Sequence, residues 1–145
     1  MVKANKDRLV GTWKLVSAEI RSEIGEATQL FGKEPQGCLI YSNDGYMAFS
    51  MAPRNRTRFT TQDILGGTVE EKVAAAESFI SYCGRYEVKV DKVIHLIELS
   101  FFPNWSGVEQ VRFYEFDGDR LTLSSLPMPF GGKLQTPHFV WERVR

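Results

Sequence analysis

Two short segments at opposite ends of the chain constrain its fold more than anything between them. Leu9-Val10-Gly11-Thr12-Trp13-Lys14-Leu15 stands near the start, and His138-Phe139-Val140-Trp141-Glu142-Arg143-Val144-Arg145 ends the chain. A glycine two residues before a tryptophan on a first strand, with a late arginine able to stack over the indole face, is how a small sheet closes on itself. Trp13 and Arg143 are therefore expected to be structural, as the clasp of a barrel. A closed barrel encloses an interior, so the question of function becomes what that interior holds.

The residues between the two ends supply the strands. Segments 12–20, 38–41, 46–51, 80–90, 93–102, 108–116, 120–125 and 138–144 are rich in aromatic and β-branched residues and are bounded by Gly, Pro, Asn or Asp, the pattern of strands and turns. Ser42-Asn43-Asp44-Gly45 predicts a hairpin, since Asp-Gly supplies the positive φ that tight turns need. One segment departs from this pattern. Thr68 followed by Glu71 forms a capping box ahead of an alanine-rich run, which predicts one short helix near 69–79 that covers a barrel mouth. The expected fold is all-β: a closed up-and-down antiparallel barrel of about eight or more strands, residues 1–145 forming one domain. Closure is favoured because it removes exposed sheet edges.

Composition narrows the function classes. The chain has 145 residues with 18 basic and 18 acidic side chains, a formal net charge of zero. Nucleic-acid or anionic-membrane binding generally brings a basic excess, so neither partner is expected. The polar N-terminal residues 1–8 lack the apolar core of a secretory signal, and no apolar run reaches the ~20 residues of a membrane span, so a cytoplasmic protein is expected. Cys38 and Cys83 are then expected as thiols. With two distant cysteines and only His95 and His138, no metal site is expected, and neither a phosphate-binding glycine loop nor a nucleophile elbow occurs. No cofactor is implied.

Further motifs, taken in order, carry a resemblance. Leu9-Val10-Gly11-Thr12-Trp13, Gly37-Cys38-Leu39-Ile40-Tyr41, Asp44-Gly45-Tyr46-Met47, Tyr82-Cys83-Gly84-Arg85-Tyr86, Ile94-His95, Pro103-Asn104-Trp105-Ser106-Gly107, Gln110-Val111-Arg112-Phe113-Tyr114 and Trp141-Glu142-Arg143 resemble the bacterial and fungal lipocalin-like domain family, a calycin-type β-barrel. The resemblance spans nearly the whole chain and is weakest over 52–79. It implies a barrel that binds a small apolar or amphipathic molecule, and it implies little about chemistry.

Strand alternation then assigns faces. On 80–90, the charged residues Arg85, Glu87 and Lys89 suit solvent, which turns Tyr82 and Tyr86 inward. On 93–101, Val93, His95, Ile97, Leu99 and Phe101 share one face, read as the inner one. On 108–116, Glu109 and Glu115 face out and send Gln110, Arg112 and Tyr114 in. An inward arginine and tyrosine on one strand suit a carboxylate, enolate or carbonyl oxygen. The expected ligand contacts are Tyr82, Tyr86, His95, Gln110, Arg112 and Tyr114, gathered around a small hydrophobic molecule with one polar or anionic group. An alternative uses the same cavity as a cofactor-free isomerase or cyclase for an enone or polyketide-like substrate. There His95 moves a proton while Arg112 and Tyr114 steady the oxyanion. Two points stay open in the sequence: whether the interior is open or filled by its own side chains, and whether Arg54, Arg56 and Arg58 form a solvated loop or meet an anion at the mouth.

Overall fold

The Gly-x-Trp segment opens the strand on which the whole sheet turns. In the computed structural model, which describes residues 2–145, β1 (Gly11–Ser22) pairs on one side with β3 (Gln36–Tyr41) and on the other with β10 (Lys133–Arg143). Between them the sheet runs through β4 (Tyr46–Ala52), β5 (Ile80–Val88), β6 (Lys92–Ser100), β7 (Glu109–Asp117) and β8 (Arg120–Ser124), each antiparallel to its neighbour. The result is a closed eight-stranded barrel. Two three-residue strands, β2 (Ala27–Gln29) and β9 (Met128–Phe130), extend it beside β1 and β10.

The clasp forms as expected. The Arg143 guanidinium lies 4.2 Å from the Trp13 ring centroid and donates to the carbonyls of Val10 (3.0 Å) and Arg8. Trp13 Nε1–H donates to Leu9 O at 2.9 Å. Gly11 has φ of 137°, and a Cβ there would lie 2.6 Å from Arg143 Nη1, so the motif needs glycine for both conformation and space.

Helix assignment differs from expectation in two respects: there are two α-helices where one was expected, and the expected one does not cover the barrel. α2 (Val69–Glu77) is present with its complete Thr68/Glu71 capping box, but it buries none of its residues. The helix that covers a barrel end is α1 (Val2–Leu9), over residues expected only to form a polar N-terminal segment. Its Leu9 is fully buried, Asn5 donates to Val90 O, and Arg8 stacks 4.0 Å from the Phe116 ring centroid. α1 thus caps the end formed by the turns after β3, β5 and β7. The long connections, with α2 and β9 among them, gather at the other end, the mouth. Arg54 is tied to the carbonyls of Glu34 and Pro35, and Arg56 to Ser78 Oγ and Ala75 O at the end of α2. These two arginines are loop and helix-end fasteners.

A second difference lies in β6. Val93, His95 and Ile97 are buried, but Leu99 is 68% exposed and Phe101 47% exposed. Gly84 pairs with Ile97 and Cys83 with Leu99, so Glu98 is an extra residue on β6. Such a bulge reverses the alternation beyond it. Gly84 permits the bulge: a Cβ at that position would stand 2.1 Å from Leu96 O.

The clasp should govern stability. Trp13→Ala is expected to lower the unfolding free energy by about 3–5 kcal/mol, as for other buried large aromatics. Arg143→Leu, which forfeits the stack and two charge-assisted bonds, should lower it by about 2 kcal/mol. Urea unfolding monitored by circular dichroism measures both, and unchanged midpoints would remove the clasp from its structural role.

Candidate functional site

Halfway up the barrel the inward side chains become polar. His95 on β6 is 2% exposed. Its Nε2 lies 2.6 Å from the Tyr41 hydroxyl on β3, and its Nδ1 lies 2.6 Å from the Tyr82 hydroxyl on β5. These three rings make a bar across the interior. A neutral imidazole has one donor and one acceptor nitrogen, so one tyrosine donates to it and the other accepts from it. Burial, reinforced by the nearby Arg112 cation, holds His95 well below the ordinary histidine range. Burial also pushes Tyr41 well above 10 and raises Tyr82, with the Arg112 charge pulling against the shift in each. The bar is uncharged at neutral pH.

Arg112 is the charge in this interior. It reaches inward from β7 and is 7% exposed. Nη1 donates to Gln110 Oε1 (3.0 Å) and to Val111 O (3.2 Å). No carboxylate pairs with it: the ion pairs among the described residues are Arg21–Glu19, Lys89–Glu87, Arg120–Glu142 and Arg145–Asp119. A buried cation held only by neutral acceptors is costly, and an anionic or strongly polar oxygen would relieve it.

Above the bar, Tyr82, His95 and Arg112 border a cavity whose other walls are almost wholly apolar, among them Phe49, Leu123, Phe139 and Trp141, with Trp105 and Phe130 near the mouth. Its free volume is about 30 Å³, room for a water molecule or two. A wider hollow of about 590 Å³ lies against Lys14, Cys38, Ser50, Arg54 and Arg56. It is open to solvent, and each arginine already gives Nε and Nη2 to acceptors of the protein, so the enclosed interior is the stronger candidate.

The six expected ligand contacts separate by depth. Tyr82, His95 and Arg112 meet at the cavity. Gln110 is half-buried and serves Arg112. Tyr86 and Tyr114 face inward as alternation predicts, but toward the capped end. Tyr86 donates to Ser42 O (2.7 Å), and Tyr114 donates to the carbonyls of Lys89 and Val90. Neither borders the cavity, so their hydroxyls hold turns together. Tyr114 thus stands at a different height from Arg112 on the same strand face, because alternation gives the face of a strand but not the height along it. Two further residues belong to this interior, Tyr41 in the bar and Trp141 in the cavity wall. Tyr41 was signalled only by its alternation with Leu39 on a strand with a buried face. Trp141 had been absorbed into the clasp motif.

A closed eight-stranded meander with one capped end, one mouth and a polar group inside defines a calycin-like binding barrel. The chain belongs to the lipocalin-like domain family, whose model matches residues 10–144. Among curated proteins it is similar to the 4'-hydroxy-3'-methoxypropiophenone carrier protein of Aspergillus oryzae, 34% identical over 92 residues that cover 57% of this chain and 83% of that protein. No helix among the described residues is long and apolar enough to cross a membrane. No group of three or more His, Cys, Asp or Glu among them is placed to hold a metal ion.

The neutral bar has a pH signature. Above about pH 6.5 His95 is neutral in both folded and unfolded chains. Below it the unfolded chain binds a proton that the folded one refuses, so stability falls with pH by up to ~1.4 kcal/mol per unit, until the lowered folded-state pKa is reached. Comparing urea unfolding at pH 7.5 and 5.5, the wild type should lose about 1 kcal/mol more than His95→Gln. The His138 contribution is common to both proteins and cancels. An equal loss would mean that His95 titrates normally.

Proposed function

We propose that this barrel carries a small aromatic molecule bearing an acidic hydroxyl or another anionic oxygen, with that oxygen seated at Arg112 and Tyr82. The observation that carries this reading is the buried Arg112 cation, which borders an apolar cavity and has no acidic partner. Aromatic walls favour a flat ligand: Phe49, Trp105, Phe130, Phe139 and Trp141 all border the cavity. The fungal relative, by its name, carries a hydroxy-methoxy aryl ketone, which has this combination of ring and acidic oxygen. A phenol para to a ketone is a stronger acid than phenol itself, since the carbonyl shares the phenolate charge. Cys38 and Cys83 are free thiols, which supports a cytoplasmic setting.

The free volume of about 30 Å³ is far below a ligand's size, so the walls must yield on binding. The mouth is where yielding is easiest. Met128 and Phe130 sit on the three-residue β9, and Trp105 on a single 3-10 turn at 103–105. Ligand entry by displacement of these rim side chains accounts for a tight empty barrel in a carrier lineage.

Carriage is favoured over isomerisation or cyclisation in the same cavity. Both ring nitrogens of His95 are engaged by tyrosines, and burial keeps the ring neutral. A general base needs a lone pair free to face the substrate, and here the available one is turned to a tyrosine hydroxyl.

Isothermal titration with 4'-hydroxy-3'-methoxypropiophenone tests the reading. Binding is expected for the wild type and should weaken by about tenfold or more in Arg112→Gln, the worth of one charge-assisted hydrogen bond. The 4'-methyl ether of the same ketone, which cannot ionise, should bind weakly to both proteins. Equal affinities for the phenol and its ether would refute anchoring at Arg112. No binding of either would leave a barrel filled by its own side chains.

A further inference from the structure

The interior holds a second polar group that the proposed anchor does not use. Among the described residues, the indole Nε1 of Trp141 is the buried side-chain nitrogen or oxygen with no hydrogen-bond partner. Trp141 is 1% exposed and borders the same cavity as Arg112. The chain's other tryptophans differ. Trp13 gives its N–H to Leu9 O, and Trp105 is partly exposed at the rim, within reach of solvent. An indole N–H can only donate, and leaving a buried donor unmade costs about 1–3 kcal/mol. Phenylalanine at this position would fill much of the same space without that penalty.

We infer that Trp141 Nε1–H is a second ligand contact, donating to a neutral carbonyl oxygen at the far end of the ligand from the group held by Arg112. This inference rests on the reading of the barrel as a carrier and extends it to a ligand of defined polarity: an acidic oxygen, a short apolar body and a carbonyl. Arg112 stands on β7 and Trp141 on β10, with β8 between them and Leu123 of β8 lining the cavity, so the two donors approach a ligand from different parts of the wall. The two donors also differ in kind. Arg112 is a cation with a planar fork and suits a charged oxygen. The indole N–H is a single neutral donor and suits a carbonyl. Leu123 and Phe139 add no polar atom to the cavity wall, so a ligand lacking the carbonyl leaves the indole unpaired in the complex.

The experiment compares two phenols that differ at the far end. One is 4'-hydroxy-3'-methoxypropiophenone; the other is 2-methoxy-4-propylphenol, which has a methylene in place of the carbonyl. In the wild type the ketone should bind more tightly for two reasons, its more acidic phenol at Arg112 and its carbonyl at Trp141, the second worth about fivefold for one neutral hydrogen bond. In Trp141→Phe the preference should shrink by about that fivefold and keep the part due to acidity, while Arg112→Gln should remove the part due to acidity and keep the fivefold part. A second readout needs no variant. In 1H–15N spectra of the wild type, the Trp141 indole proton should move downfield on addition of the ketone and stay nearly still with the propylphenol. If both phenols bind but the indole resonance responds alike to each, or if Trp141→Phe keeps the preference for the ketone undiminished, the Trp141 contact is overturned while the Arg112 anchor stands. If neither phenol binds the wild type, the carrier reading itself falls, and the Trp141 contact with it.

Discussion

Closure at the β1–β10 seam is the constraint from which the other features follow. A sheet of eight strands left open would present two edges to solvent and to other chains. Here the edges meet along β1 and β10, in register from Trp13–Arg143 to Ser22–Gln135 with one bulge between Leu15 and Ser17. The clasp fastens more than two strands. Arg143 donates to carbonyls at the end of α1 and just past it, so its cation also meets the negative end of that helix. Trp13, bonded to Leu9 O, joins the same three elements from below the arginine. With the seam shut and α1 in place, the inward side chains share a small fixed volume with one way out.

That enclosure decides how interior polar groups are managed. The Tyr41–His95–Tyr82 bar is tolerable because it is neutral and each ring nitrogen has a partner. Its hydroxyls and imidazole satisfy one another and leave no charge to solvate. Arg112 cannot be neutralised in this way. Gln110, Val111 O and the adjacent bar give it dipoles in place of a counter-ion. The positive field inside the barrel therefore has one source, and burial, reinforced by that field, keeps His95 unprotonated. Within the proposed function, recognition begins with this field, since the empty cavity is too small to select a ligand by shape alone.

Much of this architecture was legible in the sequence because local chemistry wrote it. Gly11-Thr12-Trp13, Asp44-Gly45 and the Thr68/Glu71 box each need their residue types at their positions, and each forms as read. Alternation also turned Tyr82, His95 and Arg112 inward correctly. Two things were not legible, for physical reasons. The bulge at Glu98 depends on how close Gly84 can come to Leu96 O, a relation between strands rather than within one. Depth along the barrel depends on strand tilt and register, so Tyr82 and Tyr86, alike in sequence and facing the same way, belong to different levels. α1 escaped notice because a helix fixed by Leu9 and by contacts to distant turns needs no amphipathic period of its own.

Within the proposed function, depth also separates the residues that hold the barrel from those that meet a ligand. Below the bar, the remaining polar side chains are committed to backbone: Trp13 to Leu9 O, Tyr86 to Ser42 O, Tyr114 to Lys89 and Val90 O. Those bonds tie the turns and α1 to the strands, and they leave nothing with which to bind a ligand. At and above the bar the pattern inverts. Arg112 has no acid, and Trp141 has no acceptor. Two tryptophans that look equivalent at the ends of the sequence thus differ in one respect, the fate of a single N–H. A chain under pressure only for stability would pair or remove the Trp141 donor and the Arg112 charge, because each costs free energy where it stands. Both penalties fall on the side of the bar that opens to the mouth, the side from which a ligand can relieve them.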